Sequence, residues 1–259
     1  MSEADDEPTG WTDTHCHLYD DRLPGGAVAA IADAHDAGVT TMVVVGCDRA
    51  TSIAARALAA AHAGVFATVG LHPHEARHGV DTIGDLIGAD TVAIGECGLD
   101  YYYDHSPRDV QRDAFAAQIA LANDHRLPLV IHTRDAWDDT FDLLDANGVP
   151  ERVIFHCFTG GAGEAKRALD RGGYLSFSGI VTFKGADDVR AAAALCPDDR
   201  LLVETDSPYL APMPNRGKLN RPAWVPLVGA CIADVRRVAV ANVCSGTTGA
   251  ARSAFPRTG

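Results

Sequence analysis

The chain has 259 residues, 47% hydrophobic and 22% charged, with a formal net charge of −13. This is a globular composition of a size that suits one large α/β unit or two small ones, and no apolar run is long enough to span a bilayer. Only Lys166, Lys184 and Lys218 are lysines, and with the acid excess this argues against non-specific duplex binding over a broad face; seven cysteines without a CxxC pair indicate neither a disulfide framework nor a zinc ribbon.

Residues 1–10, MSEADDEPTG, are acidic and lack the basic and apolar regions of a signal peptide. They read as a disordered leader before a single unit at 11–259. A cytoplasmic protein is expected, with no membrane association and no obligate protein partner. Its acid excess suits adaptation to high salt, with an ordinary acidic cytosolic enzyme as the alternative.

Trp11–Leu18 alternates as a strand, and Pro24-Gly-Gly opens a helix through Ala37. Thr40–Gly46 is a β-branched strand, Ala50–Ala63 an alanine-rich helix, Val65–His72 a strand and Asp81–Ile87 a short helix. Thr91–Gly95 is an apolar strand that ends in glycine and delivers Glu96, with Asp100 beyond a second glycine. Ser106 as N-cap and Pro107 in the first turn start the next helix. Strands follow at Leu127–His132, Val153–Phe158, Gly173–Ser178 and Leu201–Glu204. Helical segments separate them at Trp137–Ala146, Gly163–Asp170 and Asp187–Leu195. Pro208–Pro226 reads as a long loop, and a last helical region begins after Pro222. Eight strands, each followed by a helical region, imply a parallel sheet closed as a single TIM-like (β/α)₈ barrel. An open doubly wound sheet would need a glycine-rich loop after the first strand, where this chain has HCHLYDD.

His15 and His17 are two apart on the first strand and leave its same face. Glu96 follows the fourth strand, His132 and His156 end the apolar runs LPLVIH and RVIFH, and Asp206 lies just beyond the eighth strand. All six converge on the C-terminal mouth of the expected barrel. Nitrogen and oxygen donors without cysteine suit Zn²⁺, Mn²⁺, Fe²⁺ or Co²⁺, and Mg²⁺ less naturally. Six ligands exceed the needs of one catalytic ion, so two divalent ions ~3.5–4 Å apart are expected, bridged by Glu96.

The chain resembles the TatD family of metal-dependent hydrolases, a branch of the amidohydrolase superfamily. The resemblance rests on DTHCHL (Asp13–Leu18), GLHPH (Gly70–His74), IGECGLDYYYD (Ile94–Asp104) and QRDAFAAQIALA (Gln111–Ala122). It continues in PLVIHTRDA (Pro128–Ala136), HCFTG (His156–Gly160), VETDSPYLAP (Val203–Pro212) and NRGKLNRP (Asn215–Pro222). The resemblance implies a divalent-metal nuclease or phosphodiesterase, a TatD-type deoxyribonuclease acting 3′–5′ on single-stranded DNA ends, with RNA as a further substrate. It places the metal ligands on His15, His17, Glu96, His132, His156 and Asp206, the set reached from the strand ends. Mg²⁺, Mn²⁺, Zn²⁺ or Co²⁺ would fill the two sites, and Asp206 would be the general base. In TTGAARSAF, Ala250 stands where the family commonly has asparagine, and Cys244–Gly249 reads as poorly helical.

Five further residues are candidates for substrate contact: His72, His74, Arg134, Arg216 and Lys218. Arg134 would clamp a phosphate, or else pair with Asp135 or Asp138. Tyr101–Tyr103 offers rings for base stacking, with at least one ring assigned to packing. Asp100 and Glu204 are read as acids that orient ligands. Two alternatives stay open: a hydrolase of carboxylic esters, amides or aminoacyl esters on the same scaffold, and a non-catalytic metal-binding scaffold.

Overall fold

Successive side chains of a strand face opposite ways, and here one face meets helices and the other a barrel interior. The structure, a computed structural model, describes residues 10–258; the expected leader therefore lies outside the described residues except for Gly10. The strands are β1 (Trp11–Cys16), β2 (Val39–Val44), β3 (Val65–Val69), β4 (Thr91–Asp100), β5 (Leu129–Arg134), β6 (Val153–Phe155), β7 (Tyr174–Phe177) and β8 (Leu201–Val203). They form one parallel sheet in sequence order. The chain just past β8 returns to β1. Asp206 N donates to His15 O at 2.9 Å, and His17 N donates to Ser207 O at 2.8 Å. The expected TIM-like barrel is present, and its two edge strands meet at the level of the candidate ligands.

The helices are α1 (Gly26–Asp36), α2 (Arg49–Ala61), α3 (Arg108–His125), α4 (Trp137–Asn147), α5 (Ala162–Leu169), α6 (Asp187–Leu195), α7 (Val225–Arg236) and α8 (Val240–Ala254). None among the described residues is long and apolar enough to cross a membrane. Asp48 starts α2 by accepting from Thr51 N at 2.7 Å, and Asp48 N in return donates to the Thr51 hydroxyl at 2.9 Å. Phe115 and Phe141 bury fully under the helices with Met42, Val44, Ile131, Phe155, Phe177 and Val203. Each such side chain contributes about 1.5–3 kcal/mol relative to exposure.

The residues between those, Val43, Val130, Ile154 and Leu202, form a second cluster with Ala250, Ala251, Ala254 and Phe255 from the end of α8. Two residues further along the same faces come His132, His156 and Glu204. One face of each of these strands thus carries an apolar plug at one level and chemistry at the next.

Four expectations are corrected. β4 does not stop at Gly95 but continues to Asp100, so Glu96 sits inside a strand. The β4–β5 register shifts between Ile94 and Cys97, a bulge of the kind that re-aims a side chain. Glu96 N there donates to Gly46 O at 2.9 Å. The β3–β4 connection is not a short helix but three 3₁₀ turns, Pro73–His78, Val80–Thr82 and Gly84–Leu86, split by Gly79 at φ 80°. Ser106 does not cap α3, which starts at Arg108; its hydroxyl donates to His74 O at 2.8 Å instead. Cys244–Gly249 is helical throughout. Thr247 bonds back to Val243 O at 2.8 Å and Thr248 donates to Gly10 O at 2.8 Å, so tertiary contacts override weak local propensity.

Candidate metal centre

The mouth gathers side chains from β1, β4, β5 and the segments after β6 and β8. Glu96 lies at its centre. Its Oε2 is 3.3 Å from His15 Nε2, and its Oε1 is 2.9 Å from both His132 Nδ1 and His156 Nε2. Asp206 Oδ1 lies 3.2 Å from His17 Nε2 and 3.8 Å from His15 Nε2. Three groups each bring three donor atoms within 4.8 Å of one another: His15, His156 and Asp206; His15, His17 and Glu96; and His72, Glu96 and His132. The fold therefore brings together all six residues expected as ligands, and adds His72.

The far sides of the rings decide which nitrogens carry lone pairs. Tyr19 donates to Val45 O at 2.9 Å, so it accepts from His17 Nδ1–H at 2.8 Å. In the neutral ring that binds a metal, this makes Nε2 the lone pair that His17 presents towards Asp206. His156 Nδ1 donates to Glu204 Oε1 at 3.1 Å, and its Nε2 faces Glu96 with no hydrogen-bond partner. Both ring nitrogens of buried His15 also lack a partner. Imidazole lone pairs and carboxylate oxygens do not hold such distances out of water unless a proton or cation lies between them. The donor set fits divalent cations, with neighbouring acids and Tyr19 fixing the tautomers.

The carboxylates act on the rings around them: against burial, His156 and His17 are held well above the usual imidazole range and His132 above it, so protons take the positions that cations would otherwise hold. Burial would raise the Glu96 carboxyl, but His156 foremost, with the hydrogen bond from His132, outweighs it and holds Glu96 well below the usual range. Burial would likewise raise Asp206, which the hydrogen bond from His17 holds down. His15 is pushed down by burial and by His156, which keeps the lone pair of its unprotonated nitrogen available. The two acids differ in access: the Glu96 side chain is 4% exposed and that of Asp206 14%. Asp206 is the one that a substrate or water in the mouth can reach.

His72 is different. Its Nδ1 accepts from His74 N at 3.1 Å, so the proton of the neutral ring sits on Nε2, 3.4 Å from Glu96 Oε1. Burial pushes this ring down to about 4, which keeps it neutral. A ring in that tautomer donates towards Glu96 or a substrate oxygen and does not ligate. His74 Nε2 bonds Asp100 Oδ2 at 2.8 Å, and the same oxygen lies 3.3 Å from His132 Nε2. Asp100 and Glu204 are fully enclosed behind the histidines.

The remaining candidates spread out. Arg134 pairs with neither Asp135 nor Asp138; its guanidinium lies over Tyr102 and Tyr103, 4.0 and 4.8 Å from the ring centroids. Arg216 covers Phe183 at 4.2 Å, and Lys218 Nζ donates to Asn215 Oδ1 at 3.0 Å. Among the described residues no hydrogen bond or ion pair joins Arg216 or Lys218 to the histidine cluster.

Several supporting residues escaped the sequence reading. Asp13, fully buried, accepts from Thr205 N at 2.9 Å and from its hydroxyl at 2.5 Å, tying β1 to the end of β8 beside His15. Burial pushes its carboxyl up to about 8 against those bonds. Gln111 and Gln118 on α3 clamp the backbones of Asp100 and Leu71 through paired bonds of 2.8–3.1 Å. Their signal was present: two amides seven apart on the apolar stripe of a helix have no place there unless they bind something buried. Glu204→Gln is expected to weaken metal binding roughly 10- to 100-fold, because His156 loses its anionic anchor. Titration calorimetry checks this, and an unchanged Kd would remove His156 from the ligand set.

Comparison with known proteins gives a consistent picture. The pattern that defines the family of TatD related DNases matches residues 12–256. An uncharacterized metal-dependent hydrolase of Bacillus subtilis, YabD, is 40% identical over 250 residues, covering 94% of this chain and 98% of that protein. A Cronobacter sakazakii protein named as a 3′–5′ ssDNA/RNA exonuclease, TatD, is 40% identical over 209 residues, 76% of this chain and 79% of that one. The crystal structure of the TatD homologue YJJV from Escherichia coli superposes with a TM-score of 0.86 at 26% identity, covering 95% of this chain and 98% of that chain.

Proposed function

The chain belongs to the TatD related DNase family of metal-dependent hydrolases, and from that premise we propose that it cleaves phosphodiester bonds at single-stranded nucleic-acid ends, in the 3′–5′ direction. The observation that carries the reading is the convergence of His15, His17, Glu96, His132, His156 and Asp206, with ring nitrogens facing carboxylates and Asp206 the more accessible of the two acids. The name of the Cronobacter relative supports the choice of substrate.

His15, His17 and Asp206 would hold one ion and His132 and His156 a second, with Glu96 presenting one oxygen to each group. When bound, such ions polarise a phosphoryl oxygen and lower the pKa of a water. Mg²⁺, Mn²⁺, Zn²⁺ and Co²⁺ are the candidates. Asp206 takes the proton of the attacking water; its carboxylate is ionised and lies at the edge of the cluster. His72 Nε2–H is aimed into the same space and donates to a substrate oxygen. Tyr19, Glu204 and Asp100 keep His17, His156 and His132 in their orientations. A mouth ringed by loops admits a strand end more easily than a stiff duplex.

The test is a substrate panel on metal-loaded enzyme: single-stranded DNA and RNA, a blunt duplex of the same sequence, and carboxylic and aminoacyl esters. Single strands should be shortened stepwise from the 3′ end, and faster than the duplex. Comparable rates on duplex and single strand would overturn the single-strand assignment. Turnover of esters alone would move the enzyme to the other chemistry of the scaffold.

A further inference from the structure

The run Tyr101–Tyr103 divides its rings between two tasks. Tyr101 packs against the core and donates to Asp139 Oδ2 at 2.5 Å, whereas Tyr102 and Tyr103 are 59% and 51% exposed. The exposed pair is not loose. Both of their backbone N–H groups donate to Asp100 Oδ1 at 3.0 Å. The other oxygen of that carboxylate holds His74 and lies against His132. One buried side chain thus sets both the tyrosine turn and a ring of the metal centre.

Register supplies the third member. Asp100 pairs with Arg134 across β4 and β5, and Tyr101 N donates to Arg134 O at 2.9 Å. The Arg134 guanidinium is thereby delivered over both exposed rings. Neighbouring acids are engaged elsewhere: Asp104 by Arg108 at 2.9 Å, Asp138 by Arg167 at 2.6 Å, and Asp139 by Arg112 and Tyr101. Among the described residues Arg134 has no carboxylate partner. Behind it, His105 lies parallel to Tyr103, 5.5 Å between centroids and 4° between planes, and edge-on to His74 at 4.5 Å.

Two exposed rings on a rigid turn, beside an unpaired guanidinium and one residue from the metal centre, match what a nucleotide needs: a flat apolar face and a cation for its phosphate. We propose that Tyr102, Tyr103 and Arg134 form a stacking subsite for a nucleobase next to the cleaved phosphodiester, which makes this enzyme discriminate base-bearing strand ends from bare sugar–phosphate ones. The proposal rests on the phosphodiesterase reading above and specifies how that site selects its substrate.

The experiment uses metal-loaded protein and a single-stranded DNA oligonucleotide with phosphorothioate linkages and 2-aminopurine at its 3′ end. A second oligonucleotide carries tetrahydrofuran abasic sugars at its last two positions. Wild type should quench the 2-aminopurine fluorescence and bind the base-bearing strand roughly 10- to 100-fold more tightly than the abasic one. In Tyr102→Ala/Tyr103→Ala both the quenching and the preference should disappear, with the melting temperature unmoved because both rings are exposed. Arg134→Gln should weaken binding of both oligonucleotides, since it removes a phosphate contact. A double variant that keeps the quenching and the preference would overturn the subsite while leaving the nuclease reading intact. A wild-type enzyme that neither binds nor hydrolyses any oligonucleotide would overturn both.

Discussion

Glu96→Ala is expected to reduce hydrolysis at least ~10³-fold, about 4 kcal/mol of barrier, and to empty the metal centre. Glu96 is the carboxylate that faces both halves of the cluster, with Oε2 towards His15 and Oε1 towards His132 and His156. Histidines brought together by the barrel cannot replace it, because neutral rings leave the charge of two divalent ions uncompensated. The metal-free variant should remain folded. Removing a buried charge from a functional cluster relieves desolvation, and such sites often oppose stability. Metal should raise the melting temperature of wild type, by a ligand linkage of about 2.7 kcal/mol at 100 times Kd, and leave the variant unmoved. Elemental analysis, kcat and melting curves with and without metal check the three parts. A variant with full metal content and wild-type kcat would refute the bridging role.

Gly98→Ala should have the largest effect on stability. Gly98 lies in β4 at φ 127°, opposite His132 in register, and an added Cβ would stand 2.0 Å from the His132 carbonyl oxygen. Backbone φ in that region is disfavoured for any side chain, and the clash is with backbone that cannot turn aside. A loss above ~4 kcal/mol is expected, a large share of a typical ~5–15 kcal/mol, which corresponds to roughly 10 °C or more. His132 would move with its strand, so metal affinity should fall too. Gly246→Ala on α8 is the control: its Cβ meets nothing within 4 Å, and helix propensity favours alanine by up to ~1 kcal/mol. Denaturant titration of both variants decides the matter. Equal stabilities would mean that β4 and β5 approach less closely than the register implies.

The barrel and its six candidate ligands were legible in one dimension because both signals are local. An apolar run that stops at a histidine marks the tip of a parallel strand in RVIFH, whereas β5 was expected to end at His132 and runs on to Arg134; eight strand–helix alternations leave few ways to close. Two histidines at spacing two share a face whatever the rest of the chain does. Other features depend on partners far along the sequence. The bulge that turns Glu96 inward follows from Gly46, Thr68 and Val130 crowding around Gly95, none of them within its own segment. The proton of His72 is placed by one backbone N–H, that of His17 by Tyr19, and that of His156 by Glu204, 48 residues further along the chain and two strands away. Helix α8 holds through its glycines because threonines and the barrel floor grip it. The three tyrosines are alike in sequence, and only the register of β4 against β5 decides which ring packs and which two are exposed. Sequence by itself fixes what alternation and spacing express within a strand or helix; tertiary structure decides protonation, bulge and exposure, because those depend on hydrogen bonds closed over long separations.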